Sequence, residues 1–250
     1  LKQGRKFITL ILSLALMMAL LAACSGNGTE EQSSAAPSDR ASSDNTPAGA
    51  ESNPSKEGQS DGKTGKVLVA YFTRVGSTSP SEDEDAVSSA SLRVGDTRLI
   101  GNTEVIADMV QEAVGGDLLQ IETAQPYPEE YDAVVEQARK ERDSGYKPPL
   151  STKVENMDSY DVVYLGYPTW GMTIPAPVAS FLSEYDFSGK TIVPFCTNAG
   201  YGPGQSVSAI KELSPGAIVL DGFDIVGREA ATAQGAVSAW LREIGMLEKN

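Results

Sequence analysis

The stretch VLVAYFTRVGST, residues 67–78, decides how the rest of the chain is read. It opens as an apolar run without alternation, the pattern of a strand covered on both faces, and closes on a turn rich in glycine and hydroxyls. In a parallel α/β fold such a turn leads straight into a helix. Here SPSEDEDAVSSASLRVGDTRLI (79–100) intervenes, and only then does GNTEVIADMVQEAVGG (101–116) take up helical spacing.

Further runs of strand length follow at DLLQIET (117–123), YDVVYLGY (160–167), TIVPFCT (191–197) and AIVLDGFDI (217–225). Helix-period segments separate them. Residues 102–115 gather Val105, Ile106, Met109, Val110, Ala113 and Val114 on one face, and 128–142 gather Tyr131, Val134, Val135 and Ala138. Segments 175–185, 204–213 and 230–244 supply three more helices. Strands alternating with helices in this way predict an α/β fold, a doubly wound five-stranded parallel sheet with helices on both faces. Ligands of such sheets sit at the carboxyl ends of the strands, near the point where strand order reverses. The informative loops are therefore those after strands one, three and four.

Composition narrows the chemistry. The chain of 250 residues has no histidine, which removes Ser-His-Asp triads, histidine metal sites and imidazole proton transfer. Its formal charge is −14, so nucleic acid and anionic lipid headgroups are disfavoured partners. Removing residues 1–23 takes away Lys2, Arg5 and Lys6 and no acid, leaving −17. Catalysis would need carboxylates, tyrosines or a cofactor that brings its own chemistry.

The basic start and the apolar run from Phe7 to Leu20, ending in Leu-Ala-Ala-Cys, read as an export signal. The run is shorter than the roughly 20 residues a bilayer-spanning helix needs. The terminal tetrapeptide resembles a bacterial lipobox, which implies lipidation at Cys24 as the first mature residue; the other reading is a plain cleaved signal. Residues 24–65 are polar and poor in large apolar side chains, the composition of a flexible tether. The expected organisation is a signal at 1–23, a polar linker at 24–65, and one domain at 66–250 with an insertion at about 79–99. Acyl burial at Cys24 would hold that domain at the outer face of the cell membrane, or of the outer membrane if the cell has two.

The first loop offers Thr73, Ser77 and Thr78, then Gly101, Asn102 and Thr103 at a helix start, where backbone N–H groups and the dipole favour an anion. The plainer reading makes Asn102 or Thr103 an N-cap. In the second loop Trp170 stands beside Gly171, with no charge from Tyr167 to Ser183, as core packing or as a plate for a planar ring. In the third, Gly200, Gly202 and Gly204 surround Tyr201, so backbone can approach a flat ligand closely. Cys196 reads as a small core residue, and Asp132, Glu136, Arg139, Lys140 and Glu141 as a solvated helix face.

The segments VLVAYFTRVGST, GNTEVIADMVQE, DVVYLGYPTWG and SGKTIVPFCTNAGYGPG resemble the flavodoxin-like family over nearly all of 66–250. Flavodoxins are the standard illustration of the 2-1-3-4-5 sheet with FMN at its switch point, so the expected order follows from the resemblance. The resemblance implies FMN as cofactor, with Thr73, Arg74, Ser77, Asn102 and Thr103 at its phosphate. Pro168, Thr169, Trp170 and Gly171 would line one side of the ring, and Thr197, Asn198, Gly200, Tyr201 and Gly202 the other. The chain departs from the family pattern in carrying two copies of the phosphate cue, Gly76-Ser77-Thr78 and Gly101-Asn102-Thr103, on either side of the insertion. The expectation is that Thr73 and the second copy converge while the acidic segment loops out.

Two functions compete. One is a membrane-tethered redox protein passing electrons to an unknown partner protein, a quinone or another small acceptor, its potential held low by the negative charge around the flavin. The other is a flavin-free, lipid-anchored binding module on the same fold.

Overall fold

The computed structural model describes residues 65–75, 93–94 and 99–248, all within one compact unit. The expected signal and Cys24, nearly all of the linker, Ser77, Thr78 and most of the insertion lie outside the described residues.

Strand β1 (Lys66–Tyr71) alternates its side chains between two apolar layers, as a strand buried on both faces must. Leu68, Ala70 and Phe72 point into one core, Val69 and Tyr71 into the other. A two-stranded antiparallel pair, β2 (Arg93–Val94) and β3 (Leu99–Ile100), then leads into helix α1 (Asn102–Val114). Strand β4 (Asp117–Gln120) pairs parallel with one edge of β1, and β5 (Tyr160–Pro168) with the other. Strand β6 (Thr191–Asn198) follows β5, so the order β4-β1-β5-β6 reverses direction at the β1/β5 boundary. This is the doubly wound order expected.

The last strand differs from its sequence reading. Residues 217–225 form not one strand but two, β7 (Ile218–Val219) and β8 (Phe223–Val226), both parallel to β6. The reason is Pro194. The Leu220 N–H donates to the Ile192 carbonyl at 3.0 Å, so Ile192 faces the β7 edge, and Pro194 two residues on faces the same edge with no N–H to give. The ladder breaks there, and Leu220-Asp221-Gly222 bulges over the gap before pairing resumes at Phe195 and Phe223.

Helices α1 and α5 (Gln234–Glu243) cover one face of the sheet, burying Ile106, Val110, Val237 and Leu241. The C-terminal helix is shorter than the 230–244 expected, because its entry is a separate 3-10 turn, Gly227–Thr232. On the opposite face, α3 (Ala176–Glu184) contributes Val178, Phe181 and Leu182, and α4 (Ser206–Leu213) contributes Ile210.

Helix α2 (Tyr131–Ser144) is placed differently. Just past β4 the chain closes an antiparallel neck: Thr123 bridges Leu150, the Ala124 N–H donates to Pro149 at 2.8 Å, and the Ser151 N–H donates to Glu122 at 2.9 Å. Residues 124–149 are therefore an arm rooted at the carboxyl end of the sheet, and α2 lies on it. Of the expected apolar face only Val134 is fully buried, while Val135 is 47% exposed. Nor is the charged face wholly solvated: Glu141 is buried, accepting from the Tyr127 hydroxyl at 2.7 Å and from Gln137 at 2.8 Å.

Candidate functional site

The carboxyl ends of β1, β5 and β6 lie side by side, and three loops leave from them. At the end of β1, Thr73 is fully buried and abuts Gly101: a Cβ built on Gly101 would lie 1.8 Å from the Thr73 Oγ1. The two halves of the interrupted loop do meet, as expected. Gly101 is the N-cap of α1 and has no side chain to serve as a cap, while Asn102 and Thr103 stand in the first turn rather than at the cap position. Both are buried, and the Thr103 hydroxyl lies 2.9 Å from that of Thr197 at the end of β6. Glu104 accepts a long hydrogen bond, 3.4 Å, from the Gly101 N–H. Arg74 turns away from this cluster, its guanidinium donating to the Glu129 carbonyl on the α2 arm.

The second loop continues the sheet before it turns. The Thr169 N–H donates to the Thr197 carbonyl at 2.8 Å, one residue past the end of β5. Trp170 and Thr173 then exchange two backbone hydrogen bonds, 3.0 and 3.2 Å, around Gly171 (φ 56°) and Met172 (φ 66°). Two consecutive positive φ angles define a type I′ turn, which glycine adopts freely and methionine does not. The Trp170 indole sits edge-on to both Phe72 and Tyr127, 5.4 Å between centroids in each case, so its ring packs on the core cluster.

The third loop locks onto the second. The Tyr201 hydroxyl donates to the Thr169 carbonyl at 2.9 Å, and the Gln205 N–H donates to the Met172 carbonyl at 2.8 Å. Gly204 (φ 57°) lies so close that a Cβ there would come 2.3 Å from the Met172 oxygen. Asn198 is buried; its Oδ1 accepts from the Gly200 N–H at 2.7 Å and its amide donates to Asp224 at 3.1 Å. Gly200 (φ 106°) and Gly202 (φ 72°) leave Tyr201 about half exposed at the surface of the loop.

Thr73, Asn102, Thr103 and Thr197 are thus buried polar residues gathered at the start of α1, Asn198 is held separately by Gly200 and Asp224, and Pro168, Thr169, Trp170, Gly171 and Tyr201 belong to the neighbouring loops. Arg74 belongs with the arm. Nothing here offers an activated nucleophile: burial pushes the Cys196 thiol up to about 11. Among the described residues no cluster of His, Cys, Asp or Glu is arranged for a metal ion, and no helix is long and apolar enough to cross a membrane. Sequence reading overlooked the contribution of α2, whose Arg142 guanidinium rests against Gly171. The signal available for it was Gly145-Tyr146-Lys147-Pro148-Pro149, which stops the helix and turns the chain back toward β4.

Comparison with known proteins agrees with this fold. A family model described as Flavodoxin matches residues 92–244. No match was found among curated proteins. A solved structure from Bacteroides eggerthii, assigned as a flavoprotein, is 30% identical, with 72% of this chain and 97% of that one covered and a TM-score of 0.55. A second, from Bacteroides uniformis and likewise assigned, is 25% identical, covering 71% and 98% at the same TM-score, 0.55. With the matched segment spanning more than half of the sequence and the doubly wound sheet in place, the chain belongs to the flavodoxin family.

Proposed function

We propose that this protein binds FMN and serves in electron transfer, or in flavin-dependent reduction of a quinone or other small acceptor, at the outer face of a membrane. The observation that carries the reading is the contact between Thr73 and Gly101, which brings two segments separated in sequence together at the α1 N-terminus, where a phosphate would be held.

The residues fit the cofactor on three counts. Gly101, the N-cap of α1, has no side chain of its own, Glu104 takes the Gly101 N–H, and hydroxyls of Thr73 and Thr103 stand beside the helix start, which suits a phosphate. Close backbone approach at Gly101 and Gly204 leaves no space for a Cβ, so the loop ends are shaped by backbone. The wall from Pro168 to Gly171, pinned by Tyr201, is uncharged, as a flavin ring requires. Thr73, Asn102 and Thr103 would hold the phosphate; Thr169, Gly171, Asn198, Gly200 and Gly202 would hold the ring by backbone and short polar contacts. Bound flavin supplies the one- and two-electron chemistry, and the protein sets orientation and access to it. Cys24 would supply the lipid anchor of the mature chain.

The test is the visible spectrum of the purified chain and titration of the stripped protein with FMN and riboflavin. Tighter binding of FMN than of riboflavin, lost in Thr103→Ala, supports the reading. A colourless protein indifferent to both flavins would turn it to a flavin-free binding module. Anchoring is checked separately, by fatty-acid labelling that Cys24→Ala abolishes.

A further inference from the structure

Helix α2 buries a carboxylate that no cation neutralises. Glu141 is 5% exposed and forms no ion pair among the described residues: its neighbour Arg142 is paired with Asp143 at 2.9 Å, and Arg74 turns to the Glu129 carbonyl. Neutral donors satisfy its two oxygens instead, the Tyr127 hydroxyl at Oε2, 2.7 Å, and the Gln137 amide at Oε1, 2.8 Å. Accepting at both oxygens is the behaviour of an ionised carboxylate, which has no proton to give. Burying such a charge without a countercharge works against stability, and the flavin site makes no use of it.

Its partner Tyr127 is as deeply buried, at 3% exposed, and joins an aromatic trio. The Tyr127 ring lies edge-on to Trp170, 5.4 Å between centroids and 86° between planes, and 6.2 Å from Phe72. Burial first, and then the Glu141 hydrogen bond, hold the Tyr127 phenol protonated far above its ordinary range. The shared proton therefore stays on Tyr127 while the phenol is intact. Loss of an electron reverses this, because an oxidised phenol is a strong acid and the carboxylate stands at hydrogen-bond distance to take its proton. Trp170 is partly exposed in the turn after β5, so an oxidant can reach its indole while Tyr127 stays shielded behind it.

We propose that Tyr127 and Glu141 form a proton-coupled redox pair that returns an electron to Trp170 when an oxidising radical attacks it. A one-electron oxidant of the peroxyl-radical class takes one electron from the Trp170 indole and, with a proton from solvent, becomes a hydroperoxide. Tyr127 then gives one electron to the indole radical cation across the ring contact, and its hydroxyl proton passes to Glu141 Oε2. Trp170 is restored, Tyr127 is left as the neutral phenoxyl radical and Glu141 as the neutral acid. Neutralising the buried carboxylate relieves its lost hydration, which favours the transfer. The pair lies on the arm at 124–149 and needs no bound cofactor, so it stands or falls apart from the flavin reading.

The test is flash photolysis of the full chain with ruthenium(II) tris-bipyridine and pentaamminechlorocobalt(III) as irreversible quencher, so that the ruthenium(III) formed is the one-electron oxidant. Transient absorption and electron paramagnetic resonance tell tryptophan from tyrosyl radicals. A tryptophan radical is expected first, decaying into a tyrosyl radical more slowly in deuterium oxide than in water. Tyr127→Phe is expected to abolish that decay and leave the tryptophan radical long-lived, and Trp170→Phe to remove the entry point. Glu141→Gln keeps an acceptor for the hydroxyl but cannot take its proton, so tyrosyl formation is expected to slow at least about tenfold with far-UV circular dichroism unchanged. Tyrosyl formation at an unaltered rate in Tyr127→Phe, in Glu141→Gln or in deuterium oxide would each overturn the proposal. The solvent comparison uses the unaltered chain, so it decides even where a variant fails to fold. No flavin is added, so failure of flavin binding would not mimic either result.

Discussion

A Cβ placed on Gly101 would stand 1.8 Å from the hydroxyl oxygen of Thr73, so only glycine allows the end of β1 to meet the start of α1. The backbone of Gly101 is ordinary, with φ −66° and ψ 137°, and the requirement is purely one of space. This contact brings together two segments that the insertion separates.

Gly101→Ala therefore forces a displacement at the cradle without straining the local backbone. The expected cost is about 1–3 kcal/mol of stability, the usual penalty for overpacking. Flavin affinity should fall by at least about tenfold, since the N–H groups of α1 move with the helix start. Thermal melts and FMN titration check both. Thr73→Ala in the same chain should recover part of the stability, because it removes the nearest atom, while the Thr73 Cβ at 2.8 Å remains.

The hydroxyl of Tyr201 is the side-chain tie between the second and third loops, donating to the Thr169 carbonyl at 2.9 Å. Tyr201→Phe deletes one hydrogen bond of a half-exposed side chain, a loss of about 0.5–1.5 kcal/mol. The flavin dissociation rate is expected to rise with little change in secondary structure, as read by stopped-flow release and far-UV circular dichroism. An unaltered dissociation rate would show that the backbone bond from Gln205 to Met172 holds the loops without help.

Met172 occupies a left-handed turn position, φ 66°, with a side chain 46% exposed. A non-glycine residue there carries a penalty of about 1–2 kcal/mol, part of which glycine returns as greater freedom in the unfolded chain. Met172→Gly is accordingly expected to leave stability unchanged or raise it by up to about 1 kcal/mol, measured by urea unfolding. A clear destabilisation would mean that the Met172 side chain makes contacts of its own across the loop.

Alkaline pH should unfold the domain through its buried acids. Burial pushes the Cys196 thiol from 9.0 up to about 11, with the Thr169 hydroxyl acting in the opposite sense. As pH climbs past 9, the unfolded chain loses this proton first and the folded chain keeps it. Stability therefore falls between pH 9 and 11, by up to about 1.4 kcal/mol per pH unit for one such group. Burial also raises the phenols of Tyr127, Tyr164 and Tyr167, extending the fall above pH 10. Urea midpoints should hold steady below pH 9 and decline above it, and Cys196→Ala should remove the first part of the decline.

Much of this was legible before any coordinates. Apolar runs such as 67–72 and 162–167 specify strands buried on both faces because no polar side appears in either. The glycine-rich turns marked the loops that carry the site. The sequence also showed the duplicated Gly-x-Thr cue on both sides of the insertion, of which only the second copy precedes helical spacing. Periodicity could not tell that 217–225 breaks in two, because the cause, Pro194, lies on the neighbouring strand. Nor could it distinguish Glu141 from the solvated charges around it, since its partner Tyr127 reaches it only when the arm folds back.

The local sequence thus determined which segments become strands and helices and where the loops fall, because those choices rest on spacing and backbone preference within a few residues. Tertiary structure alone decided that Thr73 touches Gly101, that Tyr201 ties down Thr169, and that α2 leaves the sheet to wall a cavity beside those loops. Each of these depends on chain segments meeting across the carboxyl edge of the sheet, and no property of either segment alone encodes the distance between them.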